Sequence, residues 1–380
     1  MRKILVLSGK RGGYGAMKPM LKALRDDPGI ELQLVLTDQH LDPKFGTTID
    51  EVRREFDVAA TVPMDQRGDL GLFRAEALGR CVSGISDVLD RLKPDICVLY
   101  GDRGEVLAAA LAATTMGVPI AHLQGGDVSG SVDDPMRHAV TKLSHLHMTS
   151  NAQSAERVLR MGEEPWRVHV IGDNHIDEII SGEFAKPQAV YEALKLDPDQ
   201  PILVVLQHSE TTAPLESFAQ MTETLLAVKG VGHQAVVIYP CSDAGYAGIV
   251  RAIVEHAVTE KFRVHVNLDA EMFWGLLNVA AVLIGNSSAG IIETPSFRLP
   301  AVNIGRRQIG RLCAENVLHV PHERAEIVTA IRTALEDENF RNGVKNCSQP
   351  YGEGRAGINA VEILKNAPLG RELFVKKMAY

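Results

Sequence analysis

Short apolar runs that end in glycine-rich polar turns and then give way to helical spacing recur along this chain, and that alternation constrains the fold most. Residues 4–7 lead into Ser8-Gly9-Lys10-Arg11-Gly12-Gly13-Tyr14-Gly15, after which Met17, Met20, Leu21 and Leu24 return at helical intervals. Residues 32–36 repeat the strand pattern and stop at Thr37-Asp38-Gln39-His40, and residues 72–92 form a long amphipathic pattern closed by Lys93-Pro94. Residues 96–99 feed the turn Gly101-Asp102-Arg103-Gly104-Glu105, and residues 118–123 feed Gln124-Gly125-Gly126-Asp127, which runs on to Asp133-Asp134. Strand, turn and helix in that order imply a doubly wound parallel sheet. Turns at the carboxyl ends of such strands make the ligand-binding face. The turns carrying Asp102 and Asp127 are therefore expected to meet over one crevice, gathering Asp102, Asp127, Asp133, Asp134 and Arg103 in a small volume.

From Pro135 the spacing predicts a helix with Met136, Val140, Leu143 and His147 on one face and Arg137, His138, Lys142 and His145 on the other. His138 and His145 find no third ligand at a metal-binding spacing, so no metal is expected. Residues 168–171 read as a strand ending in Gly172-Asp173-Asn174-His175, and the polar, proline-bearing residues 181–201 read as an interdomain linker. The second half repeats the plan. Residues 202–206 end in Gln207-His208-Ser209-Glu210, and residues 235–239 end in Pro240-Cys241-Ser242-Asp243. Residues 279–284 deliver Gly285-Asn286-Ser287-Ser288-Ala289-Gly290 into a short helix that holds Glu293. Hydroxyls and free amides at a helix start suit a phosphate, as do Lys10 and Arg11 in the first turn, and a carboxylate one turn further on suits the hydroxyls of a ribose. After residues 301–304, Gly305-Arg306-Arg307-Gln308-Ile309-Gly310-Arg311 adds three arginines.

Composition excludes several classes. A chain of 380 residues exceeds one ordinary core. A net charge of −8 argues against general nucleic-acid binding, which needs a basic face. The five cysteines are scattered without close pairs, so neither a disulfide framework nor a thiolate metal site is indicated. No apolar run approaches the ~18 residues of a membrane span, and the opening strand is too short for a secretion signal. A cytoplasmic protein is expected.

Taken together, these blocks resemble the hydrolysing UDP-N-acetylglucosamine 2-epimerases, the family that makes N-acetylmannosamine for sialic acid and has relatives serving legionaminic acid. The resemblance rests on Lys10-Arg11-Gly12-Gly13-Tyr14, Gly101-Asp102-Arg103, Gly125-Gly126-Asp127 through Asp133-Asp134, Arg137-His138, Gln207-His208, Gly285 to Gly290, and Arg307 to Arg311. It implies an α/β chain of two Rossmann-like domains with a cleft between them, as in glycosyltransferases of the B type. Residues 1–180 would form the sugar side and residues 200–355 the UDP side, with residues 356–380 returning as a helix onto the first domain. It implies a nucleotide-sugar substrate, no cofactor, and a homodimer or homotetramer.

By position, Ser287 and Ser288 resemble the diphosphate binders and Glu293 the ribose acceptor. Arg11 and Arg307 resemble cationic supports; Lys10, Arg103, Arg137, His138 and Asn286 fall in the same substrate-binding blocks. Asp102, Asp133, Asp134 and His208 match positions around the sugar and the leaving group, which leaves the base at C2 open among the aspartates. The family reaction breaks the C1–O bond with loss of the C2 proton, giving UDP and a glycal, and then adds water with the opposite C2 configuration. This sequence departs from the family at Gln124, where glutamate or histidine is common, at Asp127, where glutamate is usual, and at Gly13, where an acid is normal. The expectation is a rearranged proton-transfer set in which Glu210 or Asp127 covers for Gln124, or a sugar that differs at C4 or C6. A glycosyltransferase, a non-hydrolysing 2-epimerase and a non-catalytic nucleotide-sugar sensor are the rival readings.

Overall fold

The computed structural model describes the chain from Met1 to Ala379 apart from Lys44, Phe45, Thr47, Asp69, residues 129–133, Thr211, Ser242 and the side chain of Arg11. Two compact units share it: among the described residues, one takes Met1–Val128, Asp134–Asp177 and the stretch from Tyr351 onward, and the other takes Glu178–Pro350.

The first unit holds β1 (Arg2–Ser8), β2 (Ile30–Thr37), β3 (Val58–Val62), β4 (Ile96–Tyr100), β5 (Ile120–Leu123), β6 (Leu146–Thr149) and β7 (Val168–Val170), in the order β3-β2-β1-β4-β5-β6-β7. Every neighbouring pair is parallel, and strand order reverses between β1 and β4. The second unit holds β8 (Ile202–Leu206), β9 (Gln234–Ile238), β10 (Phe262–His265), β11 (Val282–Gly285), β12 (Ala301–Ile304) and β13 (Val317–Val320), in the order β10-β9-β8-β11-β12-β13. It is parallel throughout and reverses between β8 and β11. The expected doubly wound sheets are thus present, one in each unit.

The central strands are apolar at every position because both faces of a parallel sheet are covered by helices. In β1, Ile4 and Val6 join Met17, Met20, Leu21 and Leu24 of the Arg11–Asp26 helix in one core. Leu5 and Leu7 point the other way, into a core with Cys81 and Ile85 of the Gly71–Leu92 helix and Ala109 and Ala113 of the Gly104–Thr115 helix. The Ala356–Asn366 helix lies against Arg11–Asp26, and its first amides are held by Asp177, which accepts from Ala356 N at 2.9 Å and Gly357 N at 2.7 Å.

Two local expectations are corrected. The helix expected to carry His147 ends at Leu143, and His147 lies inside β6 with Nε2 3.0 Å from Glu163. Residues 181–201 are not plain linker. They contain the Pro187–Leu194 helix, started by proline at its first turn, whose Val190 and Leu194 are buried and which packs on the Ala270–Val279 helix of the second unit. Near the C-terminus, Arg167 is 1% exposed and donates to the carbonyls of Leu373 at 2.7 Å and Val375 at 3.0 Å. Burial opposes ionisation of Glu163, but hydrogen bonds from His147, Lys142 and Lys376 outweigh it and hold the carboxyl at about 2. Among the described residues no helix is long and apolar enough to cross a membrane.

Candidate active site

In the first unit, the turns after β4 and β5 are joined by Arg137. Helical spacing puts Arg137 on the polar face of the Asp134–Leu143 helix, yet it is only 4% exposed. Its guanidinium forms an ion pair with the Asp102 carboxylate, donates to the Gln124 carbonyl at 3.1 Å, and lies 4.0 Å from Asp134. Asp102, Gln124 and Asp134 are thereby brought together. His145, expected on the same polar face, is also buried. Its Nδ1 accepts the Ile120 N–H at 3.0 Å, and burial pushes its pKa down to about 4.

Gln124 adopts a left-handed φ of 61° and extends its side-chain amide to Asp173 Oδ2 at 2.8 Å. The Asp173 side chain is fully buried, and its other oxygen accepts from both the backbone N and Nδ1 of His175, each at 2.9 Å. Burial works to raise the Asp173 pKa. The hydrogen bond and charge of His175, with the Gln124 amide, more than offset it and leave the carboxyl below its usual range. Tyr100 at the end of β4 is pushed well above its ordinary pKa by burial and by the negative charge of Asp173, Asp127 and Asp102, so it stands there as a neutral phenol.

Of the expected gathering, Asp102 and Asp134 share Arg137, while Arg103 and Asp127 are corrected to other partners. Arg103 belongs to another group, 3.5 Å from Asp38 and 3.2 Å from Glu105, where burial raises the Glu105 pKa against the pull of Arg103. Lys10 immediately precedes the Arg11–Asp26 helix, and its charge acts on that carboxylate. Asp127 is 7% exposed, and its Oδ1 accepts from the hydroxyls of Ser150 and Ser154, both at 2.6 Å. The approach needs glycine beside it, because a Cβ on Gly126 would sit 2.2 Å from the Ser154 carbonyl oxygen and its φ is +78°. His138 is half-buried, and its Nδ1 finds no partner among the described residues. Asp133 and the side chain of Arg11 lie outside the described residues.

In the second unit the candidate residues collect where strand order reverses, at the ends of β8 and β11, as ligand sites do in open α/β sheets. Asn286 clamps the turn after β8 from both sides: its Oδ1 accepts the His208 N–H at 2.7 Å and its Nδ2 donates to the His208 carbonyl at 2.9 Å. Gly285 makes that possible, since a Cβ there would fall 2.1 Å from the Leu206 carbonyl oxygen at a φ of +134°. The Asn286 carbonyl in turn accepts from Gln308 Nε2 at 2.8 Å and Arg307 Nη1 at 3.3 Å. Arg307 is also 3.5 Å from Asp243. His208 Nδ1 accepts the Cys241 N–H at 3.0 Å, which places the ring proton on Nε2. Burial, with the nearby Arg307, brings its pKa down to about 4, so the ring is neutral at physiological pH.

Ser287 and Ser288 sit half-buried before the short Ala289–Ile292 helix, and Glu293 follows it, accepting the Trp274 indole N–H at 2.8 Å. Glu210 accepts the Arg306 N–H at 2.6 Å and lies 3.2 Å from His322 Nε2, interactions that pull its pKa down. The sequence places Asp173-Asn174-His175 at a strand end but gives no sign of its junction with Gln124, a contact spanning 49 residues for which no local pattern exists.

The model of the UDP-N-acetylglucosamine 2-epimerase family matches residues 22–365. The UDP-N,N'-diacetylbacillosamine 2-epimerase (hydrolyzing) of Legionella pneumophila is 33% identical over 381 residues, covering 100% of both chains. The UDP-N-acetylglucosamine 2-epimerase of Neisseria meningitidis serogroup B is 31% identical over 349 residues, 90% of this chain and 92% of that one. A crystal structure of UDP-GlcNAc 2-epimerase from Neisseria meningitidis bound to UDP-GlcNAc superposes with a TM-score of 0.79 at 19% identity, covering 95% of this chain and 99% of that chain. That likeness carries the fold: two parallel-sheet Rossmann-like units of the glycosyltransferase-B type. A full-length match at this identity, together with the family model, carries more, and the chain belongs to the UDP-N-acetylglucosamine 2-epimerase family.

Proposed function

We propose that this chain is a hydrolysing 2-epimerase: it converts a UDP-linked 2-acetamido sugar and water into UDP and the free 2-epimeric sugar, with no cofactor. The reading rests most on one observation, the junction of Asp102, Arg137 and Gln124 at the ends of β4 and β5 in a chain that matches a hydrolysing relative end to end. We assign the sugar to the first unit's set and UDP to the second unit's set.

Breaking C1–O leaves oxocarbenium character on the ring and gathers negative charge on the diphosphate. Donors already aimed at that charge lower the barrier because nothing must reorganise during the step. Ser287, Ser288 and Arg307 are the donors for the diphosphate, Glu293 accepts from the ribose, and the Nε2–H of neutral His208 is a donor toward the leaving oxygen. The C2 proton needs a base held in place, and Asp102, oriented by Arg137, is assigned that role. Asp134 shares that guanidinium. Asp127 and Glu210 are engaged by serines and by Arg306 and His322, which favours anchoring roles for both. Neither chemical step moves a hydride. We place the reaction in the cytoplasm and expect a homodimer or homotetramer, to be checked by light scattering.

Incubation in deuterium oxide with UDP-N-acetylglucosamine, UDP-N,N'-diacetylbacillosamine and its GDP analogue tests the reading. NMR is expected to show free sugar of inverted C2 configuration carrying deuterium at C2, released together with the nucleotide from at least one of the UDP sugars. A sugar transferred to an acceptor without C2 deuterium would make the chain a glycosyltransferase. A UDP-linked epimer would make it a non-hydrolysing epimerase, and tight UDP binding with no release would make it a sensor.

A further inference from the structure

We propose that His175, oriented by Asp173, is the acid that returns a proton to C2 on the ring face Asp102 does not serve. This rests on the hydrolysing-epimerase reading and adds to it a residue outside the sequence blocks that carry the family resemblance. Three observations converge.

Epimerisation through a glycal needs two proton-transfer groups at C2, one for each face. Gln124 stands at the end of β5 beside Asp102 and Arg137, and an amide cannot move a proton. Its Nε2 instead donates to Asp173 Oδ2 at 2.8 Å, while Asp173 Oδ1 accepts His175 Nδ1 at 2.9 Å. The carboxylate is thus held by Gln124 on one oxygen and holds the imidazole with the other. A buried carboxylate against Nδ1–H fixes the tautomer and compensates the charge an imidazolium carries, as in hydrolytic triads. His175 itself is 30% exposed, so its ring is not sealed into the core.

Asn174, between the two, supplies an independent sign of a ligand. It is 3% exposed, yet neither its Oδ1 nor its Nδ2 finds a partner among the described residues. Buried amides are almost always satisfied, and one without a protein partner leaves its hydrogen bonds to water or to another molecule's polar groups. The titratable groups that sense the Asp173 charge are Tyr100 at the end of β4 and Asp177 on its own helix, and Tyr100 also senses Asp102, Asp127 and Arg137.

The step balances. In the first half the C2 proton passes to Asp102, the C–H pair becomes the C1=C2 bond, and the C1–O pair leaves on UDP. In the second, the imidazolium gives its Nε2 proton to the opposite face of C2 and the oxygen of water bonds C1. The water's spare proton then restores the imidazolium, and the proton on Asp102 is lost to solvent.

His175→Gln tests the proposal, because glutamine can still hydrogen-bond Asp173 but cannot act as an acid. With whichever of the two UDP sugars the wild type turns over, free-sugar release is expected to fall by about 10²–10³-fold. UDP release falls less, so 2-acetamidoglucal appears beside UDP. Asp173→Asn is expected to move the basic limb of the kcat profile to lower pH. A His175→Gln chain that releases free sugar within threefold of wild type overturns the proposal. So does one that loses UDP and free-sugar release equally with no glycal, since that is the mark of a merely structural role. If the wild type releases UDP from neither sugar, the proposed function fails and takes this inference with it.

Discussion

Asp102→Asn is expected to lower kcat for UDP release by about 10³–10⁴-fold, equivalent to about 4–5.5 kcal/mol of barrier, while KM stays within about threefold of wild type. Asparagine keeps the size and one acceptor oxygen of aspartate, so the contact with Arg137 is weakened rather than vacated, whereas the capacity to take a proton from carbon is gone. The pairing also decides what the control must be. Arg137 is nearly inaccessible and meets Asp102, Asp134 and the Gln124 carbonyl, so removing one carboxylate charge leaves a buried guanidinium less compensated. Unfolding must therefore be measured beside turnover. Asp127→Asn serves as comparison: its carboxylate is taken by two serine hydroxyls, and its loss is expected to slow turnover by less than about tenfold. Equal losses at Asp102 and Asp127, or an Asp102→Asn enzyme with ordinary kcat, would sink the assignment of the base.

The contrast between these aspartates shows what the sequence made legible. Strands such as Ile4 to Leu7 announce themselves because burial on both faces demands an unbroken apolar run, and the glycine turns announce where the chain must reverse. That was enough to find both sheets and the turns bearing Asp102, His208 and Asn286. Side-chain partners were not legible. Periodicity assigned Arg137 to a solvated face, but periodicity reports only which residues are apolar, and a buried arginine matched to Asp102 looks the same in sequence as an exposed one. Helical spacing carried on through His147 by coincidence, because residues of β6 that face the core happen to continue the count. Residues 181–201 looked like linker because proline and charge mask the burial of Val190 and Leu194. The Gln124–Asp173 contact joins the ends of two strands, and only sheet order reveals that they are near neighbours.

Acidification from about pH 7.5 to about pH 5 is expected to destabilise the first unit, by about 2 kcal/mol for each histidine it buries in neutral form. Besides His147, whose ring also meets Glu163, three qualify on both burial and pKa. His40 is 1% exposed, with Nε2 2.9 Å from Ser8 Oγ and Nδ1 2.9 Å from Thr48 Oγ1. His122 is fully buried between the Gly101 carbonyl at 2.7 Å and Thr141 Oγ1 at 3.1 Å, and His145 receives the Ile120 amide. Burial brings them to about 4, about 3 and about 4. The unfolded chain takes up a proton at each near the ordinary value of about 6.5 while the folded chain refuses it, so stability drops as pH falls through that window. At pH 5 the loss is nearly the same whether the folded value is about 3 or about 4, because the native ring is still neutral in either case. Asp38, Glu105 and Asp177, whose pKa values are raised by burial, pull the other way as they gain protons in the folded state. A difference measurement removes them. In a Trp274→Phe background, Trp166 is the remaining indole and reports on the first unit. There, the change in urea unfolding free energy between the two pH values is expected to be about 2 kcal/mol smaller in His122→Gln than with His122 intact, since glutamine can donate to Gly101 and has no proton to gain. An unchanged difference would mean that His122 is protonated in the native protein, and its hydrogen bonds to Gly101 and Thr141 would then have to be reassigned.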